Sequence, residues 1–328
     1  MTTQNSTPYA QYSVAQTFDQ VGQVPDKLMA IGYADTTNPF IPSIEDGYAF
    51  RKEFLREFLA FLKSPAGDAM YITGPTGSGK TSGVCNVLGR LNWPLQQVTA
   101  HGRMELTDLI GHHALMSKTP GAPPEMTFMY GPLAVAMREG HVLLINEVDM
   151  MDPSELSGLN DILEGRPLVI AQNGGEIIKP HPMFRVVVTG NSCGGGDASG
   201  LYQGIAMQNI AAMDRYRFTL VDYAEPEVEA LILGRVVPRL PENIRNGMIR
   251  VANDVRKVFK GEDGAGGELS VTMSTRTLRR WAKLALHFRG AENALGYALD
   301  QALLRRAAPE EKEAINRIAK DVFGDQWK

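Results

Sequence analysis

Gly74-Pro75-Thr76-Gly77-Ser78-Gly79-Lys80-Thr81 is the stretch from which the rest of this chain is read. Its spacing is G-x-x-x-x-G-K-[ST], and each fixed position has a physical task. The glycines let backbone N–H groups turn inward around phosphate oxygens. A helix that opens at Lys80 adds its positive end to the same place. Lys80 supplies a point charge for the β- and γ-phosphates, and the Thr81 hydroxyl is a ligand for Mg²⁺. A glycine-rich turn can match such a pattern by chance. Here the apolar run Met70 to Thr73 precedes it and the helical pattern Lys80 to Leu91 follows it, as phosphate binding requires. Residues 74–81 are therefore the expected nucleotide-binding positions, with ATP and Mg²⁺ as the expected ligands.

Outward from this loop, strands and helices alternate. Leu95 to Thr99 and His141 to Asn146 read as strands, Pro132 to Glu139 as a short helix between them. Asp152 to Leu163 reads as one helix, with Asp152 as its cap, Pro153 at its first position and Glu155 three residues on. Phe184 to Thr189 and Phe218 to Val221 supply two more strands. Alternation of this kind predicts a parallel sheet covered by helices. Two insertions interrupt it. Ala114 to Tyr130 reads as a hairpin or loop, and Leu168 to Lys179 carries two apolar runs around Asn173-Gly174-Gly175, a hairpin signal. A helix is expected from Tyr48 to Lys63, and after Asp222 the pattern is helical to the end, apart from a glycine-rich break at Gly261 to Gly267. The first 25 or so residues are polar and nearly uncharged and read as a loose arm. The expected division is thus an N-terminal tail and irregular segment over 1–47, an α/β core over 48–222 and a helical lid over 223–328.

Composition narrows the function. The 328 residues are 44% hydrophobic, enough for a large core, and carry a formal net charge of −4. That charge argues against a dedicated nucleic-acid binder while leaving room for a basic pore in an assembled ring. The two cysteines, Cys85 and Cys193, have no paired spacing, so neither a disulfide framework nor a zinc cluster is expected. With no long apolar run for a membrane and no apolar signal core at the start, the expectation is a cytoplasmic protein.

Four further motifs carry chemistry. Val142-Leu143-Leu144-Ile145-Asn146-Glu147 is an apolar strand ending in polar residues, the expected metal and water site of a P-loop enzyme. Glu147 would polarise the attacking water. Asn146 stands where an aspartate beside Mg²⁺ is usual; it keeps an acceptor oxygen and loses the charge, and Asp149 lies close enough in sequence to compensate in part. Asn191, at the end of the run Phe184 to Thr189, is placed to touch the γ-phosphate or the water. Arg215 could reach the nucleotide of a neighbouring subunit, with Arg217 as its rival, and Arg276 could touch the γ-phosphate from the lid. The bland alternatives are buried-strand ends, turn caps and surface arginines. His112-His113 has no partner at ligand spacing and reads as structural.

The order of these five motifs resembles the AAA+ ATPases. The insertions before Pro132 and Phe184 resemble the branch that holds the MoxR-type and chelatase motors. A nearer likeness is to CobS-type subunits of aerobic cobaltochelatase. It is carried by Leu91-Asn92-Trp93-Pro94, Asp108-Leu109-Ile110-Gly111, Gly196 to Gly204, Gln208-Asn209, Met213-Asp214-Arg215 and Met273-Ser274-Thr275-Arg276-Thr277. The resemblance implies a P-loop AAA+ parallel-sheet core with a C-terminal helical lid. It also implies a homo-hexameric ring with ATP between subunits, and a partner carrying a von Willebrand-type domain. The family pattern has Asp-Glu where this chain has Asn146-Glu147. A MoxR-type chaperone and a nucleotide-gated scaffold with weak hydrolysis are the competing readings.

Overall fold

The computed structural model describes residues 8–18, 24–46, 48–117, 121, 123–196, 206–261 and 269–327. Of the family-like stretches, most of Gly196 to Gly204 lies outside these residues, as does most of the glycine-rich break after Lys260. Internal contacts divide the chain into two units. One comprises Met1–Glu45, Lys52–Gly74 and Lys80–Val221; the other comprises Asp46–Arg51, Pro75–Gly79 and Asp222–Lys328.

The first unit is built on five parallel strands in the order β11-β3-β10-β7-β4: β3 (Ala69–Thr73), β4 (Leu95–Thr99), β7 (Val142–Asn146), β10 (Arg185–Gly190) and β11 (Tyr216–Leu220). Every residue of β3, β7 and β10 is buried. Strands covered on both faces read as unbroken apolar runs, which is why these three stand out in the sequence. Helices α2 (Lys52–Lys63), α3 (Lys80–Arg90) and α5 (Pro132–Glu139) supply much of the cover, α2 through Phe54, Leu55, Phe58, Phe61 and Leu62. Two antiparallel hairpins project from the alternation. One joins β5 (Gly111–Met116) to β6 (Glu125–Tyr130), the other β8 (Leu168–Ile170) to β9 (Glu176–Ile178).

Three features differ from the sequence reading. Part of the expected loose arm is ordered: β1 (Tyr9–Ser13) pairs antiparallel with β2 (Met29–Tyr33), and α1 (Val14–Thr17) follows β1 directly. The pairing is pinned by aromatic contacts that a polar composition does not advertise. Tyr9 meets Tyr33 edge-on at 5.7 Å, and Tyr33 meets Trp93 at 5.9 Å. The helix expected over Asp152 to Leu163 is two short helices, α6 (Pro153–Ser157) and α7 (Asn160–Leu163), parted at Gly158. Asp152 does cap the first, accepting from Ser154 N at 2.8 Å, but Glu155 does not close a capping box. Its carboxylate instead accepts from the backbone of Leu106, 2.8 Å away, at the start of α4 (Leu106–Ile110). The helix expected from Tyr48 begins at Lys52. A four-residue helix α8 (Ile210–Met213), capped by Asn209, leads into β11.

The second unit is helical: α9 (Pro226–Val236), α10 (Glu242–Lys260), α11 (Thr275–His287), α12 (Ala294–Ala302) and α13 (Pro309–Phe323). Its core gathers Leu233, Met248, Val251, Val255, Leu278, Trp281, Leu299 and Ile315, all essentially inaccessible. A buried ion pair holds the start of α11 in register. Glu229 grips Arg256 at 2.7 Å and also accepts from the Thr275 hydroxyl at 2.9 Å.

Candidate nucleotide site

The parallel sheet delivers its functional side chains to one end. β3, β7 and β10 lie side by side, so the residues that follow their last positions meet at the C-terminal edge of the sheet, where ligands of open α/β sheets bind. Lys80, at the start of α3, donates from Nζ to Gly74 O at 2.6 Å and to Asn191 Oδ1 at 2.9 Å. Thr81 donates its hydroxyl to Asn146 Oδ1 at 2.6 Å. Thr189, inside β10, reaches the same amide oxygen at 3.3 Å, and its hydroxyl accepts from Glu147 N at 3.2 Å. Lys80 thus joins Gly74 and Asn191 directly, Thr81 joins Asn146, and Glu147 is tied to Asn146 through the Thr189 hydroxyl.

Glu147 stands out by its backbone. It is exposed, it follows a fully buried strand, and its φ is 53°. A β-carbon in the left-handed region costs about 1–3 kcal/mol, and such strain collects at functional positions. Asp149 answers the compensation expected of it in an unforeseen way. It is fully buried, and one carboxylate oxygen accepts from Asn191 N at 2.7 Å and Ser192 N at 3.1 Å. Its charge is therefore spent on fixing the backbone that carries Asn191. Nearby, burial and then the Asp149 charge push the Tyr71 hydroxyl above its ordinary value.

In the second unit the phosphate loop is packed tightly. At Gly77, where φ is +74°, a β-carbon would lie 2.6 Å from Ser274 Cβ and 3.9 Å from Arg276 Cβ. Ser274 caps α11, and Arg276 stands exposed on its first turn, beside the apex of the loop. Arg51 donates to Ser78 O and, at 2.5 Å, to Asp222 O, bracing the loop from the opposite chain segment. Burial lowers its pKa. The buried Ser78 hydroxyl has no hydrogen-bond partner among the described residues, as does the second oxygen of Asp149. Orphaned buried groups of this kind suit a ligand-binding loop. The hydroxyl of Thr81 and the amide oxygen of Asn146 form the hard oxygen set that Mg²⁺ prefers. These residues fit ATP with Mg²⁺.

Arg215 is placed differently. It precedes β11, whose first residue is in register with Ala69 at the start of β3. It therefore stands at the opposite end of the sheet from Gly74, about 16 Å of strand away. Its Nε donates to Glu164 Oε1 at 3.0 Å. Arg217 binds Asp68 at 3.1 Å. Neither joins the Lys80 cluster. His112 and His113 are exposed on β5, and among the described residues no group of His, Cys, Asp and Glu is arranged to hold a metal.

The sequence matches the family model of the AAA domain (dynein-related subfamily) over residues 69–203 and that of the CbbQ/NirQ/NorQ C-terminal region over 229–322. It is 28% identical to the aerobic cobaltochelatase subunit CobS of Sinorhizobium sp, over 88% of this chain and 85% of that protein. An uncharacterized protein of Staphylococcus haemolyticus is 30% identical over 58% of this chain and 68% of its own length. This chain belongs to the AAA+ ATPases of the CobS/MoxR type. A crystal structure of a Cytophaga hutchinsonii protein aligns over 95% of the AAA+ chain and 93% of its own, with a TM-score of 0.46 and 17% identity. The first model begins with β3 and spans the phosphate loop and both polar strand ends; the second spans most of the C-terminal helices of this AAA+ chain.

Sequence reasoning missed Arg51, Thr189, Ser274 and the role of Asp149. Thr189 left a trace, a hydroxyl directly after the apolar run Val186–Val188. Arg51 left none, because its partner Ser78 is 27 residues away.

Proposed function

We propose that this chain binds and hydrolyses ATP with Mg²⁺ in a homo-hexameric ring and uses the turnover to remodel a partner protein. The observation that carries this is the hydrogen-bonded set Lys80–Asn191 and Thr81–Asn146 beside the strained Glu147. The backbone of 74–79 and the Lys80 ammonium bind the phosphates. Glu147 takes the proton of the attacking water. Asn191, clamped by Asp149, orients that water or the γ-phosphate, and Arg276 neutralises the γ-phosphate from α11. Thr81 and Asn146 would hold Mg²⁺, which would supply charge neutralisation there. Arg215, remote from its own loop, serves the nucleotide of the neighbouring subunit, which a closed ring guarantees to every protomer. The ring size, a partner with a von Willebrand-type domain and a cytoplasmic setting rest on the likeness to CobS. Among the described residues no helix is long and apolar enough to cross a membrane. A cobaltochelatase role is the most specific form of this reading, and a MoxR-type chaperone role shares every residue named.

The direct test is sedimentation and ATPase rate against protein concentration. With ATP and Mg²⁺ the chain should sediment as a ring, and the rate per subunit should rise as rings form. A monomer at saturating ATP and Mg²⁺ would overturn the trans role of Arg215.

Asn146 favours a second reading, a nucleotide-gated scaffold that turns over slowly. The amide keeps the aspartate's shape and its contact to Thr81, but no charge. In a partly desolvated site a full charge beside a divalent cation counts for more than in water. Asn146→Asp should therefore lower the Mg²⁺ concentration for half-maximal binding of a fluorescent ATP analogue, by about tenfold for ~1.4 kcal/mol. It should also raise basal hydrolysis. An unchanged Mg²⁺ dependence would remove Asn146 from the metal site.

A further inference from the structure

Arg215 is not left to find its phosphate from an unrestrained side chain. Glu164 follows α7, at the C-terminal end of that helix, 51 residues away in sequence. One of its oxygens accepts from both Nε and Nη2 of Arg215, and the Arg215 Nη1 donates to Ala211 O in α8 at 2.5 Å. A guanidinium has five N–H groups in one plane. Three are taken, which leaves one on each terminal nitrogen. Those two are the prongs with which a guanidinium grips a phosphate or carboxylate. The arrangement also keeps the group accessible, since Arg215 retains 28% of its side-chain surface and Glu164 35%. Arg166 approaches the other Glu164 oxygen at 3.0 Å, so the carboxylate is itself steadied. Arg215 foremost, and Arg166 with it, hold that carboxyl below the usual range.

We propose that Glu164 is the positioning residue for Arg215, presenting its two free N–H groups to the γ-phosphate of ATP on a second copy of this chain. This rests on the reading of Arg215 as the residue that acts across the subunit boundary. Glu164 touches no phosphate itself. It takes the rotational freedom out of a long side chain before the neighbour arrives, so that less is lost when charge develops there.

The test compares ATP hydrolysis by the full chain, assembled with ATP and Mg²⁺ and checked by sedimentation, for Glu164→Ala, Glu164→Gln, Arg215→Ala and the double variant. Glu164→Ala should lower kcat about tenfold or more while KM for ATP stays within twofold. Glu164→Gln keeps an oxygen that accepts from Nε and Nη2, and should restore most of the rate. Removing Glu164 from Arg215→Ala should cost nothing further, a non-additivity that a merely structural role does not produce. If Glu164→Ala keeps or raises kcat while Arg215→Ala abolishes it, the positioning role is overturned and the trans arginine stands. If Arg215→Ala itself turns over normally, the trans arginine falls and the positioning role falls with it. Should Glu164→Ala fail to assemble, Glu164→Asp decides. Its carboxylate is one methylene short, and an assembled ring with undiminished kcat would overturn the proposal.

Discussion

Lys80→Ala should weaken ATP binding about a hundredfold and leave the fold intact. The ammonium is the only charge that the loop 74–81 brings to the phosphates, and it is already aimed. Bonds to Gly74 O at 2.6 Å and Asn191 Oδ1 at 2.9 Å hold it at the strand end before any nucleotide enters. Charge-assisted hydrogen bonds contribute about 1.5–3 kcal/mol each, and loss of roughly 3 kcal/mol in sum corresponds to the stated factor. The side chain is only half-buried and packs no core, so the melting temperature should barely move. Titration of the purified variant with a fluorescent ATP analogue decides the matter. Wild-type affinity would mean that 74–81 is a glycine-rich turn and nothing more.

Glu147→Gln should have the larger effect on turnover and almost none on binding. A positioned general base contributes about 10²–10⁴-fold, and glutamine cannot take the proton. Glutamine is as poor a fit to φ 53° as glutamate, so the backbone strain persists and stability should not change. Glu147→Gly separates strain from chemistry. Release of the left-handed β-carbon should stabilise the chain by about 1 kcal/mol while the rate stays low. Single-turnover hydrolysis alongside nucleotide affinity gives both halves of the result. A Glu147→Gln variant with full activity would place the base elsewhere.

The α/β core was legible because its three central strands are buried on both faces. β3, β7 and β10 carry unbroken apolar runs, and β4 spans Leu95–Thr99, the same residues that the pattern predicts. The phosphate loop, Asn146, Glu147 and Asn191 could be picked out because each sits at a fixed offset from such a run. Where meaning depends on a distant partner, the sequence was silent. Nothing in the polar stretch around Tyr9 indicates that it pairs with Met29–Tyr33. Asp149 reads as a spare carboxylate, and only the fold brings it to backbone N–H groups 42 and 43 residues on. Glu155 satisfied a capping rule in sequence and caps α4 instead of its own helix. The arginines were visible as residue types, but the acid that holds Arg215 belongs to another loop.

The buried Asp149 has one more consequence. Its side chain holds the backbone of Asn191 and Ser192, and its own carbonyl accepts from Ala206 N at 2.9 Å. Gln208 binds Gly194 O at 2.9 Å through its backbone and Met151 O at 3.3 Å through its side chain. Asn209 then caps α8, which ends at Met213, two residues before Arg215. Hydrogen bonds and a single short helix thus run from Asn191, proposed to meet a protomer's own γ-phosphate, to Arg215, proposed to serve the neighbour's. In such a ring the loss of phosphate at one station would be relayed as a displaced arginine at the next. The subunits would then fire in succession, a travelling wave rather than a set of independent clocks.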